Sequence, residues 1–102
     1  MALAIRQSTR FIRDVKRLRR QNVDLSELER VVSTLVSKEQ IGESYREHAL
    51  LGNWKGFREC HIHPDWLLIY RIEGNELQLV RTRSHAELFI SLPARRTVMP
   101  LT

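Results

Sequence analysis

All four histidines of this 102-residue chain, His48, His61, His63 and His85, lie at or beyond residue 48. On a strand, His61 and His63 would project from one face, roughly 7 Å apart, with Phe57 and Glu59 on the same side. Cys60 and Ile62 would then point the other way, toward a core. Asp65 follows in a turn and Trp66 opens the next apolar run. Arg81 and Arg83 precede His85, and Phe89 stands one helical turn after it. These residue types suit the splitting of RNA. That reaction needs a base for the 2′-OH, an acid for the leaving 5′-oxygen, cations for the phosphorane, and flat surfaces for stacking. For residues 57–63 alone, an ordinary solvated strand face is the simpler reading. A metal centre is not expected, because Cys60 faces away from His61 and no Cys-x-x-Cys or His-x-x-x-His spacing occurs. No cofactor is implied.

Elements able to position these residues can be read along the chain. Residues 2–7 alternate as a short strand, and Ser8 or Thr9 can cap a helix. From residue 10 to 21, Phe11, Ile12, Val15 and Leu18 form one amphipathic stripe, opposite Arg10, Arg13, Lys16, Arg17, Arg19 and Arg20. Asn22 closes that helix. Asp24 and Glu27 have capping-box spacing, and Leu25, Leu28, Val31, Val32, Leu35 and Val36 form a second stripe. The two helices predict a helical hairpin that buries its stripes against a sheet. Residues 39–53 have no period and are expected to be a loop. Strands are predicted over 54–62, with Gly56 as a twist point, over 66–72, and over 76–82. Pro64-Asp65 and Gly74-Asn75 make the turns. Trp54 and Trp66 are both eligible for the core, Trp54 more so. Residues 84–89 predict one helical turn capped by Ser84. Residues 91–102, with two of the three prolines, read as a disordered tail. The expectation is one α+β domain over 1–90: β-α-α-β-β-β plus a short C-terminal helix, with a helical hairpin on a curved antiparallel sheet.

The charge balance bears on partners. Seventeen Lys and Arg against twelve Asp and Glu give +5 and a pI near 10.1. Such a field favours polyanions. The basic helix face carrying Arg13, Lys16, Arg17 and Arg20 could be only a solvated face; as a binding surface it would grip RNA phosphates, the cheapest source of affinity for a cationic protein. One cysteine allows no internal disulfide, the N-terminus has no apolar leader core, and no run reaches the ~20 residues of a membrane span. A cytoplasmic protein with no membrane contact is expected.

Three stretches together resemble the YafQ branch of the RelE-type toxins. They are His48-Ala-Leu-Leu-Gly-Asn-Trp-Lys-Gly-Phe-Arg-Glu-Cys-His61, Pro64-Asp65-Trp66-Leu-Leu-Ile-Tyr70 and Arg81-Thr-Arg-Ser-His85-Ala-Glu-Leu-Phe89. The resemblance is dense from His48 to Phe89, weaker over the helices, and ends before Ser91. It implies a RelE-like fold and a ribosome-dependent endoribonuclease that leaves a 2′,3′-cyclic phosphate and a 5′-OH. It also implies a cognate antitoxin, expected to be acidic, with the toxin monomeric alone and part of a larger complex when neutralised. The family's functional residues fall on His48, His61, Asp65, Trp66, His85 and Phe89. His85 would act as general acid or base, with His48 or Asp65 as counterpart. His61 and Arg81 would support the phosphate, with Arg83 beside them, and Trp66 and Phe89 would shape the base pocket. Two positions depart from the branch's namesake: His63 replaces an acid and Arg83 replaces a glycine. Two rivals remain, a non-catalytic ParE-like topoisomerase inhibitor of the same fold and a DNA-binding regulator. The histidine cluster argues against the first, and the lack of a helix-turn-helix glycine turn against the second.

Overall fold

The computed structural model describes residues 2–84. Strand β1 (Ala4–Gln7) is followed by helices α1 (Thr9–Arg20) and α2 (Ser26–Val36). Then come β2 (His48–Ala49), β3 (Arg58–His63), β4 (Trp66–Glu73) and β5 (Glu76–Ser84). The sheet order is β1-β5-β4-β3-β2.

Local chemistry explains most boundaries. Ser8 caps α1, its hydroxyl accepting from Phe11 N–H at 2.9 Å. The same hydroxyl donates to the Val80 carbonyl at 2.7 Å, which ties the cap to β5. Asn22 ends the helix at a left-handed φ of 61°. Asp24 accepts from the backbone N–H of Ser26 at 2.9 Å and from its hydroxyl, so it serves the start of α2. Both bonds favour the ionised carboxylate and hold its pKa below the usual value. Gly74-Asn75 links β4 to β5, with Glu73 opposite Glu76.

The helices cover one face of the sheet. Phe11, Leu18, Leu28, Val31 and Leu35 pack there on Cys60, Ile62, Trp66, Leu68, Tyr70, Leu77 and Leu79. Cys60 thus faces the core, as alternation indicated, and burial pushes its thiol up to about 12.

Several expectations are corrected. The sheet is antiparallel except at one edge, where β1 runs parallel to β5. The strand expected over 54–62 starts only at Arg58. Gly52–Trp54 form a 3-10 turn, and Gly56 has a φ of +95°, which interrupts the extended chain. The stretch taken as loop contains a 3-10 turn at Glu43–Tyr45 and the two-residue strand β2. On α1, Ile12 is 40% exposed while Asp14 is 2% exposed, so the inward stripe is Phe11, Asp14 and Leu18. Ser84, expected to cap a helix, closes β5. The tail over 91–102 lies outside the described residues.

Candidate active site

The sheet face opposite the helices carries the polar residues of β2 and β3. Cys60 and Ile62 enter the core, so Glu59 and His61 project to the other side. In β4, Trp66, Leu68 and Tyr70 enter the core, and Leu67 and Ile69 alternate with them onto the opposite face. Pairing of His48 with Glu59 across β2 and β3 brings the first histidine to this face.

His48 is held at both ring nitrogens. Nδ1 lies 2.8 Å from the Arg46 carbonyl, and Nε2 lies 3.0 Å from Glu59 Oε1. Both partners are acceptors when Glu59 is ionised. A ring protonated on both nitrogens then satisfies both contacts, whereas a neutral ring satisfies one. The Glu59 side chain is only 9% exposed and that of His48 49%, so the histidine forms the solvent side of the pair. The His61 ring stands 6.3 Å from that of His48, tilted by 37°. Two imidazoles and a carboxylate on the face opposite α1 and α2 can exchange protons with a bound substrate at both ends of a breaking bond.

The segment presenting His48 is stapled from below. Glu47 accepts from the buried Tyr70 hydroxyl and from Arg58 Nε at 3.1 Å. Tyr45 donates to Glu27 of α2, a contact that raises its pKa. Glu59, Glu47 and Tyr45 were absent from the expected site. Alternation had placed Glu59 on the right face, but its pairing with His48 depends on a register that no local pattern encodes.

The other expected residues divide. Asp65 is exposed in the turn between β3 and β4. His63 does not simply repeat His61, because the β3–β4 register shifts between them and the His63 ring lies 5.6 Å from Trp66. Trp66 is corrected from a base-facing residue to a core residue. It is 4% exposed, and its indole N–H donates to Thr82 Oγ1 at 2.8 Å. Arg81 turns toward α1, where Nε and Nη2 bond Asp14 at 2.8 and 3.1 Å. Arg83 pairs in register with Leu67. On α1, Arg13, Lys16 and Arg20 are exposed. Arg17 is corrected from a solvent-facing cation, since it binds Asp14 at 2.9 Å and its side chain is only 32% exposed. His85 and Phe89 lie outside the described residues. Among the described residues, no three His, Cys, Asp or Glu side chains converge as metal ligands. No helix among them is long and apolar enough to cross a membrane.

Residues 3–90 match the family described as the bacterial toxin of type II toxin-antitoxin system, YafQ. The mRNA interferase toxin YafQ of Escherichia coli K12 is 35% identical over 86 residues, covering 83% of this chain and 94% of that protein. The putative toxin YafQ of Haemophilus influenzae is 33% identical over 92 residues, covering 83% and 90%. Among solved structures, a copper-bound mutant toxin from Helicobacter pylori superposes with a TM-score of 0.79 at 42% identity, covering 85% of this chain and 99% of that one. The toxin–antitoxin complex DinJ-YafQ of E. coli gives 0.77 at 33% identity, covering 87% and 99%. The chain belongs to the YafQ family of bacterial toxins of type II toxin–antitoxin systems.

Proposed function

We propose that this toxin is an endoribonuclease that cuts mRNA on the translating ribosome. The carrying observation is the His48–Glu59 pair, with the His61 ring beside it, on the sheet face opposite α1 and α2. Relatives named mRNA interferase toxins support the substrate class. In the reaction, the 2′-OH loses its proton to a base and attacks the adjacent phosphorus. The P–O5′ bond breaks and the leaving oxygen takes a proton from an acid. The products are a 2′,3′-cyclic phosphate and a 5′-OH. His48, His61, Asp65 and His85 are the proton-handling set, with Arg81 and Arg83 for the phosphate and Phe89 for a base. Arg13, Lys16 and Arg20 supply phosphate contacts to ribosomal RNA.

The partner is an acidic antitoxin that covers part of the basic surface. Structures of a relative with its antitoxin DinJ support that class of partner. The toxin alone is monomeric, acts in the cytoplasm, and enters a larger complex with the antitoxin. Cell-free translation followed by primer extension tests the reading: new 5′ ends appear with the wild type and vanish with His85→Ala, while ribosome co-sedimentation persists. Wild-type cleavage by His85→Ala removes the proposed mechanism. Arrest of supercoiling with no new 5′ ends favours the topoisomerase-inhibitor alternative instead.

A further inference from the structure

Asp14 stands where an apolar residue would complete the inner stripe of α1, and it is 2% exposed. Both carboxylate oxygens are saturated. Oδ2 accepts from Arg81 Nε at 2.8 Å and from the Thr82 backbone N–H at 3.0 Å. Oδ1 accepts from Arg81 Nη2 at 3.1 Å and from Arg17 Nη2 at 2.9 Å. A buried ion cluster is a poor device for stability compared with a packed apolar side chain, so its value lies in what it orients.

Two things are oriented. The first is the end of β5. Strand β1 pairs with β5 only as far as Leu79, and the β4–β5 register shifts between Ile69 and Tyr70, where Arg81 and Leu79 are the successive partners. Beyond that point, α1 supplies the missing edge partners: Ser8 binds the Val80 carbonyl and Asp14 the Thr82 N–H. The chain that leaves this edge at Ser84 leads directly to His85. The second is the Arg81 guanidinium, gripped along its Nε/Nη2 side so that Nη1 stays outside the fork. A fork grip fixes the plane of the group, which a single contact does not.

We propose that Asp14 is a positioning residue of the cleavage site: from inside α1 it holds Arg81 in the orientation that meets the RNA phosphate and fixes the end of β5 ahead of His85. This rests on the ribonuclease reading, and the test separates the two. The Arg81 Nε–H signal, assigned by its loss in Arg81→Lys, is followed by NMR while a non-cleavable 2′-O-methyl RNA trinucleotide is added. In the wild type it shifts and saturates. In Asp14→Asn, which keeps size but loses charge, affinity falls about tenfold, the worth of one charge-assisted hydrogen bond. Combined with Arg81→Lys, Asp14→Asn adds nothing, because it acts through Arg81. On programmed ribosomes, Asp14→Asn lowers kcat/KM by a similar factor, chiefly through a raised KM. RNA affinity within about twofold of wild type in Asp14→Asn, additivity with Arg81→Lys, or a wild-type Arg81 signal indifferent to RNA overturns the proposal. A wild type that binds RNA but never cleaves it removes the ribonuclease reading, while the binding measurements still decide the role of Asp14. Should Asp14→Asn not fold, Arg81→Lys decides alone. It keeps an ion pair but not the fork, and undiminished RNA affinity in that variant refutes the positioning role.

Discussion

Trp66→Phe distinguishes a base-facing tryptophan from a core one. The ring sits at the start of β4, 4% exposed, with its N–H donated at 2.8 Å to Thr82 Oγ1, and Thr82 is itself 1% exposed. The Thr82 hydroxyl in turn donates to the Leu67 carbonyl at 2.9 Å, so a short chain of hydrogen bonds crosses from β4 to β5 and back. Phenylalanine keeps the apolar contact but removes the donor and part of the ring volume. The lost bond costs about 0.5–1.5 kcal/mol. The partly unfilled space adds about 1 kcal/mol. A total of roughly 2 kcal/mol lowers Tm by about 8–16 °C for a domain of this size. Thr82→Val leaves the indole N–H buried without its partner and costs about 1–3 kcal/mol. The double variant costs less than the sum, because both single changes break the same bond. Thermal unfolding of the four proteins, followed by far-UV circular dichroism, supplies the cycle. An unchanged Tm in Trp66→Phe together with weakened RNA binding would refute this reasoning and return Trp66 to the base pocket.

Ser8→Ala removes both the cap bond to Phe11 and the bond to Val80, and should cost about 1–2 kcal/mol in urea denaturation. Cys60 has a folded pKa raised from 9.0 to about 12, so the stability tied to its neutral thiol is complete below 9 and is lost as pH rises toward 12. Within that window Cys60 should contribute a loss of about 1.4 kcal/mol per pH unit, so Cys60→Ala makes the fall shallower while Tyr45, also raised, keeps part of it; parallel losses in both proteins would contradict the assignment. Neutralising Arg13, Lys16 or Arg20 should flatten the salt dependence of ribosome binding by about one unit of slope per lost contact. Arg17→Gln should act chiefly through its partner Asp14, lowering Tm, and an unchanged Tm would place Arg17 back among the RNA contacts.

What was legible in the chain follows the range of the interactions. Ser8, Asn22, Asp24 and Gly74-Asn75 act on backbone groups a few residues away, so each marks its boundary from local sequence. The apolar stripe of α2 was equally readable, because Leu28, Val31 and Leu35 answer to helical spacing alone. Strand β2 was not. Its two residues are too few for any period and exist only because Arg58 and Glu59 offer partners. Arg81 shows the same limit: its residue type suggested a phosphate contact, but its fork to Asp14 spans 67 positions of sequence.

The position of Asp14 shows why a hydrophobic pattern both finds and misplaces a helix face. Phe11 and Leu18 define the inward direction of α1, and Ile12 and Val15 suggest a stripe that continues evenly between them. The helix is instead rotated so that a carboxylate points inward and Ile12 faces solvent. Two guanidinia and a backbone N–H answer that carboxylate, and two of those three donors come from the end of β5. A burial scale counts the inward carboxylate as an error of about the size of an unpaired charge, and only the long-range partners cancel it. An inward-facing Asp or Glu that breaks an otherwise regular stripe therefore signals a distant Arg to be found. In this chain that arginine is Arg81, four residues before His85. The same break in pattern that shifts the expected helix face thus points toward the strand end where the proposed chemistry lies.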